Sequence, residues 1–396
     1  MVKGRRFLFV IAVVMFVSAA LLPLVLTAKG NSEHFSPVFS VNGSHDFSNV
    51  MPFLRQARIV GLGEQTHGAG NVFALKTELI KHLHQHQGFN ILALESGMYD
   101  VAQLWLEVLQ GKSLNELAPG NIFYMYANSA ELQPLFDYIS KHANSGNPLR
   151  LVGFDSQHTG TIAQDTLVSD LKSQLIYLDA KWRNFDWMLL QRSLKNNQPR
   201  LSRSEEIQLF RQLKDMQFSL LNVDDGFWYR ITKGLEAQIK RQWQIEDTRS
   251  FEMGENLNWL ASVFPEQKIM VWGHSGHLMK TGHEQVNAGQ RVFEMFKNEY
   301  YMMHFSAQKG EYLDFVDLTV KAVKEIDDNS LERFAQQEFG NTLTYVDIAT
   351  FKKPNTDKME LFSVDYQHKV KKEHWPSLYD GVFIFEQARP AEYLAE

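Results

Sequence analysis

The chain has 396 residues, 22% of them charged and 44% hydrophobic, with a formal net charge of -6. That is an ordinary globular mixture, long enough for one large or two average domains, with no electrostatic footprint for nucleic acid. The complete lack of cysteine excludes disulfides, thiolate nucleophiles, cysteine-ligated metals and lipoprotein attachment.

In chain order, Lys3, Arg5 and Arg6 precede an apolar stretch from Phe7 to Ala28, diluted only by Ser18, Pro23 and Thr27. As a helix it spans about 30 Å of hydrocarbon. A cleaved signal has a shorter apolar core, about 7–15 residues, and a small-x-small cleavage site, for which Leu26 and Ala28 are a poor match. Residues 1–28 therefore read as an uncleaved anchor in preference to a cleaved signal. Either way the basic flank stays cytoplasmic and the rest is exported, periplasmic or extracellular. Residues 29–57 are polar and mixed, a linker or lead-in, and residues 58–396 form the main domain.

The first sheet signal is Arg58-Ile59-Val60, running into Gly61-Leu62-Gly63-Glu64-Gln65-Thr66-His67-Gly68, with a helical pattern from Asn71 to Gln87. The expectation is a strand that stops at its glycines, with Glu64 and His67 at its carboxyl end. That edge of an open α/β sheet is where ligands bind. A carboxylate there can orient an imidazole, the side chain best poised to move protons near neutral pH. In the following helix Leu75, Leu79 and Leu83 form the apolar stripe, and His82, His84 and His86 are expected in solvent.

Three more short apolar runs follow. Phe89–Leu94 stops at Glu95; Leu149–Phe154 stops at Asp155, with Gln157 and His158 beyond; Lys268–Gly273 stops at His274, with His277 three residues on. Such runs read as strands buried on both faces of a parallel sheet. Between about 163 and 262 strand signals vanish, and Ser202-Arg203-Ser204-Glu205 fits a capping box. The fold class expected is α/β, a three-layer α/β/α with a mainly parallel central sheet and a helical insertion. Aromatics of the insertion, Trp182, Trp187, Trp228 and Trp243 among them, serve as its core or line a pocket for a bulky apolar substrate.

Four strands that each deliver an ionisable residue to one end point to a single cleft lined by Glu64, His67, Glu95, Asp155, His274 and His277. Plainer roles remain open for each. Glu64 and Glu95 can bond backbone amides as ordinary strand-end carboxylates, and His274 and His277 are a loose match to a metal pair, lacking the i, i+4 spacing of His-Glu-x-x-His. Gly273-His274-Ser275-Gly276 approaches a serine nucleophile elbow, but His277 stands where that motif needs glycine; Ser275 is expected to shape the turn.

The blocks Gly61–Gly68, Leu92-Ala93-Leu94-Glu95, Gly153-Phe154-Asp155, Val271–His277 and Tyr379–Phe385 resemble, in order, those of the erythromycin esterase family. The resemblance implies hydrolysis of an ester, in known members the macrolide lactone. It implies a histidine at the place of His67 acting as general base on water, with family carboxylates and histidines matched by Glu64, Glu95, His274 and His277; the mechanism expected here has Glu64 orienting His67, water attacking with no acyl-enzyme, and His274 or His277, one of them fixed by Glu95, stabilising the oxyanion or protonating the leaving alcohol. It also implies metal-independent chemistry and no cofactor. Many members carry an arginine and a glutamate after the histidine-glycine pair, where this chain has Ala69, Gly70 and Asn71; Arg249 is the candidate to replace that arginine. Asp155 and Gln157 are expected beside the catalytic groups. The rival readings are a metal-dependent hydrolase built on the same cluster and a non-catalytic accessory protein of envelope polysaccharide assembly.

Overall fold

The apolar runs pair side by side because each alternates its side chains between two covered faces. The computed structural model describes residues 35–394 apart from 42–43, 195–200, 283–284, 325, 327–329, 349–360, 365–369 and 374. A nine-stranded mixed sheet is formed by β1 (Phe35–Pro37), β2 (Ile59–Glu64), β3 (Phe89–Gly97), β4 (Arg150–Asp155), β5 (Lys268–His274), β6 (Tyr300–Leu313), β7 (Val320–Ala322), β8 (Thr344–Asp347) and β9 (Gly381–Ala388). The order across it is β1-β8-β9-β6-β2-β5-β3-β4, with β7 folded back on β6. Pairs from β9 to β4 are parallel, while β1, β7 and β8 join antiparallel.

The helices that position the site are α1 (Gly70–Gln87), α2 (Met98–Leu109), α3 (Tyr124–Ala127), α4 (Val168–Leu178), α5 (Arg203–Leu220), α6 (Phe227–Gln242), α7 (Arg249–Val263), α8 (Ser275–Leu278) and α9 (Ala288–Phe296). On one sheet face Leu62, Leu94, Trp272 and Phe305 pack under α1 and α2. On the other, Ile59, Ala93 and Val271 pack against Met253 and Leu257 of α7 and Val292 of α9. This is the three-layer α/β/α arrangement, and it explains why the strands are apolar at nearly every position rather than at every second one. Among the described residues, 163–263 hold helices and no strand. A third core of Leu171, Leu213, Ile231 and Leu235, with Met98 and Tyr99 of α2, binds α4, α5 and α6 together. The capping box at the start of α5 is formed: Ser202 Oγ accepts from the Glu205 N–H, and the Glu205 carboxylate accepts from the Ser202 N–H.

Two expectations need correction. β2 does not stop at its glycines; it runs through Gly61 and Gly63 to Glu64. A Cβ on Gly63 would lie 2.6 Å from Ser275 Oγ and 2.9 Å from its Cα, so this glycine lets α8 press against the strand. His84 is not in solvent but 2% exposed, its Nδ1 2.6 Å from the Tyr138 hydroxyl. Because α1 is covered on more than its leucine stripe, only His86 of the three histidines is exposed and His82 is half-buried. The expected anchor, residues 1–28, lies outside the described residues; among those described, no helix is long and apolar enough to cross a membrane.

Candidate active site

Glu64 ends the central strand with no exposed surface. A buried carboxylate must find partners, and it finds three. Lys76, from the underside of α1, forms an ion pair with Oε2; the Tyr126 hydroxyl of α3 donates to Oε1 at 2.5 Å; and His67 Nδ1 lies 3.1 Å from Oε1. Burial opposes the charge, but Lys76 and His67 outweigh it and hold the Glu64 carboxyl well below the usual carboxylate range. Lys76 is itself drawn down by burial and raised by Glu64, with its ammonium 4.1 Å from the Trp272 ring centroid. With Nδ1–H donating to Glu64, and with the Tyr126 oxygen 3.2 Å away, His67 keeps Nε2 for a substrate or water. Phe123 and Phe315 flank the imidazole edge-on, at centroid distances of 5.0 and 5.3 Å.

The ends of β3, β4 and β5 build the other half. β3 and β4 shift register between Leu94 and Gly97, an irregularity that re-aims side chains next to sites and brackets Glu95. Glu95 Oε2 accepts from the His274 N–H at 2.7 Å; a Cβ on Gly273 would stand 2.8 Å from that oxygen, so only glycine leaves it room. Arg249, first residue of α7, forks onto Asp155 at 3.0 Å from Nε and 2.5 Å from Nη2. Its Nη2 is also 3.3 Å from Glu95 Oε1 and its Nη1 3.2 Å from His277 Nε2. Burial works against the guanidinium charge, yet Asp155 and Glu95 raise its pKa further above the ordinary arginine value. Burial likewise opposes the charge on Asp155, and Arg249 overrides it to hold that carboxyl below its ordinary value.

His274 stands between the halves, its ring centroid 5.1 Å from that of His67 and 6.4 Å from that of His277. Both its nitrogens are engaged by backbone: Nδ1 accepts from the Gly276 N–H at 3.0 Å, and Nε2 donates to the Gln65 carbonyl at 3.2 Å. His277 Nδ1 lies 2.8 Å from Ser250 Oγ. Burial lowers both histidines to about 3, so they are neutral at physiological pH. Among the described residues no group of three histidines or carboxylates converges as a metal site would require. Glu64, His67, Glu95, Asp155, Arg249, His274 and His277 thus share one continuous site. Gln157 joins it through its backbone N–H, 3.0 Å from Asp155 Oδ1. Ser275 is 2% exposed, its Oγ 2.6 Å from His304 Nδ1, a buried pair that also seats the turn. Lys76, Tyr126, Ser250, Phe123 and Phe315 do not stand out in the sequence as site residues. Only Lys76 leaves a signal there, a cation at helical spacing among Val72, Phe73, Leu79, Ile80 and Leu83.

The buried histidines set the response to acid. Burial lowers His158 to about 4 and His274, His277 and His304 to about 3. Each contributes stability that is present above the unfolded value of about 6.5 and is lost as pH falls towards 3–4. Burial raises Asp100 to about 6 and Glu332 to about 7; their contributions run the other way, present at low pH and lost as pH rises. Between about pH 6 and 4.5 the unfolded chain then binds a net of about two more protons, so stability should fall by ~3 kcal/mol per pH unit. Urea midpoints at pH 7, 6 and 5 measure this; constant midpoints would contradict it.

Known proteins are similar to this chain in sequence and in fold. It is 28% identical over 336 residues to the Bacillus subtilis (strain 168) protein YbfO, named as a hydrolase, covering 73% of this chain and 74% of that protein. Its fold matches a succinoglycan biosynthesis protein, with a TM-score of 0.72, 16% identity and coverage of 92% and 97% of the two chains. It also matches a mutant of the erythromycin esterase EreC in its open conformation, with a TM-score of 0.68, 17% identity and coverage of 91% and 100%. Identities this low speak for the fold alone. Residues 84–388 match the family model described as erythromycin esterase, a segment that contains Glu95, Asp155, Gln157, Arg249, His274 and His277, with Glu64 and His67 upstream of it. The chain belongs to the erythromycin esterase family of hydrolases.

Proposed function

We propose that this hydrolase cleaves a small-molecule ester or macrolactone with water activated by His67 and without an acyl-enzyme. The observation that carries the reading is the Lys76–Glu64–His67 chain, with Tyr126 on the same carboxylate oxygen as His67. A buried, ionised Glu64 fixes the tautomer in which Nε2 is the base and stabilises the imidazolium formed when water gives up its proton. Water attacks the carbonyl, and the imidazolium returns the proton to the leaving alcohol. Arg249 supplies the positive charge next to the developing oxyanion, held in place by Asp155 and Glu95. His274 and His277, neutral and engaged on both nitrogens, shape the wall between base and guanidinium. Arg249→Lys keeps a charge but loses the fork; turnover should drop by up to about 10²-fold, the cost of a small misplacement, and unchanged turnover would remove Arg249 from this role.

The test is a screen of the full chain in detergent against macrolactones and aryl esters, with His67→Ala as control. Turnover of an ester that the variant lacks supports the reading, and activity abolished by a chelator and restored by one divalent ion would replace it with the metal-dependent alternative. The second reading is a non-catalytic part in envelope polysaccharide assembly; the charged and fully partnered Glu64 weighs against it, and the likeness to a succinoglycan biosynthesis protein is one of fold. We also propose that residues 1–28 anchor the enzyme in the cytoplasmic membrane with its catalytic domain outside. Release from membranes by an alkaline wash without detergent would overturn that anchor.

A further inference from the structure

β6 and β7 continue past the carboxyl edge of the sheet as a hairpin, Glu311 to Ala322. Its first strand is tied to the catalytic turn, since the Leu313 N–H donates to the Gly68 carbonyl at 2.9 Å. The tip, residues 314–319, carries Phe315, whose ring stands against His67 and whose carbonyl accepts from the Tyr124 hydroxyl.

The tip is rigidly built. The Leu318 N–H donates to the Asp314 carbonyl at 2.9 Å and the Asp314 N–H to the Thr319 carbonyl at 2.8 Å. Asp314 Oδ1 accepts from the Val316 N–H at 2.8 Å and Asp317 Oδ1 from the Thr319 N–H at 3.0 Å. Lys321 reaches both carboxylates, at 3.2 and 2.9 Å. Yet this polar frame holds apolar side chains out in water: Val316 is 71% exposed, Leu318 44% and Val320 53%. Leu318 sits at φ 55°, a left-handed conformation that leucine adopts only at a cost and that Asn or Gly would take more readily. Backbone strain of this kind persists where the surroundings impose it, and it concentrates at ligand clamps.

We propose that the hairpin tip is the specificity-determining wall of the cleft. Phe315, Val316 and Leu318 select esters whose acyl or alkyl part is an apolar chain of several carbons, desolvating that chain as the ester carbonyl reaches His67. The inference rests on the esterase reading and names the substrate class of that same site. It does not depend on the helical insertion, the other candidate to hold the apolar part of the substrate.

The experiment uses two chromogenic esters, para-nitrophenyl octanoate and para-nitrophenyl acetate, and takes the ratio of their kcat/KM values for the full chain in one detergent. Wild type is set beside Val316→Thr/Leu318→Asn, in which threonine keeps the shape of valine and asparagine suits the left-handed backbone. The octanoate-to-acetate ratio should fall about tenfold or more in the double variant, the range that one or two methylene-sized contacts provide. Val316→Thr alone, isosteric and exposed, should lower the ratio part of the way with an unaltered melting temperature, which separates specificity from misfolding. A ratio equal in wild type and variants, or an equal loss of both activities, would overturn the proposal while leaving the esterase intact. Failure of wild type on both esters would overturn the proposal, and the esterase reading falls with it only if the macrolactones and other esters of the screen are left intact too.

Discussion

His67→Gln should lower turnover about 10²–10⁴-fold, the range contributed by a positioned general base, while binding of an apolar substrate body changes little. Glutamine can still hydrogen-bond a water but cannot take its proton. Nδ1 of His67 is committed to Glu64, so the whole of its basicity is exercised at Nε2, and no neighbouring imidazole is placed to substitute: His274 has both nitrogens on backbone groups. Single-turnover kinetics with a competitive apolar ester analogue separate the two quantities. Full turnover in His67→Gln would sink the mechanism; recovery of His67→Ala by added zinc would point instead to a metal-bound water.

Lys76→Met should cost about 3–5 kcal/mol of stability, the usual penalty for breaking a buried pair and stranding one charge. Neither partner has solvent to fall back on, since both side chains are fully buried. Glu64→Gln/Lys76→Met removes both charges with little change of volume, and most of the loss should return, because replacing a whole buried pair is often close to neutral. Turnover should not return with it. A neutral amide can accept a hydrogen bond from His67 but cannot stabilise the imidazolium. Urea midpoints and turnover numbers for wild type and the two variants give the comparison, and a double variant with both restored would show the pair to be packing alone.

The four strand ends are legible in the sequence because the signal for each is local. Glu64, Glu95, Asp155 and His274 each follow an apolar run, and parallel strands of similar length place such residues on one edge, as the register of Glu64 beside His274 confirms. Arg249 is legible only as a candidate, because its partners Asp155 and Glu95 lie 94 and 154 residues away and nothing in its own helix reveals them. Tyr126 sits in a four-residue helix, too short to carry a periodic pattern. Lys76 is in plain view, but a stripe drawn through the leucines alone passes it by. α1 is covered more widely than that stripe, burying a lysine and a histidine, and the same narrow stripe puts His84 in solvent.

The third core, that of the helical layer, has a dynamic consequence. Segments with their own apolar cluster open and close as units, with a free energy below that of the whole molecule. α4, α5 and α6 share such a cluster with Met98 and Tyr99 of α2, and Arg230 of α6 is bonded to Glu252 and Asn256 of α7, which is itself fastened to the sheet by Met253, Leu257 and Leu260. Arg249 lies at the seam between them, the first residue of the fastened helix. Opening of that layer has to break these contacts, whereas the grip of Arg249 on Asp155 lies on the sheet side and does not depend on them.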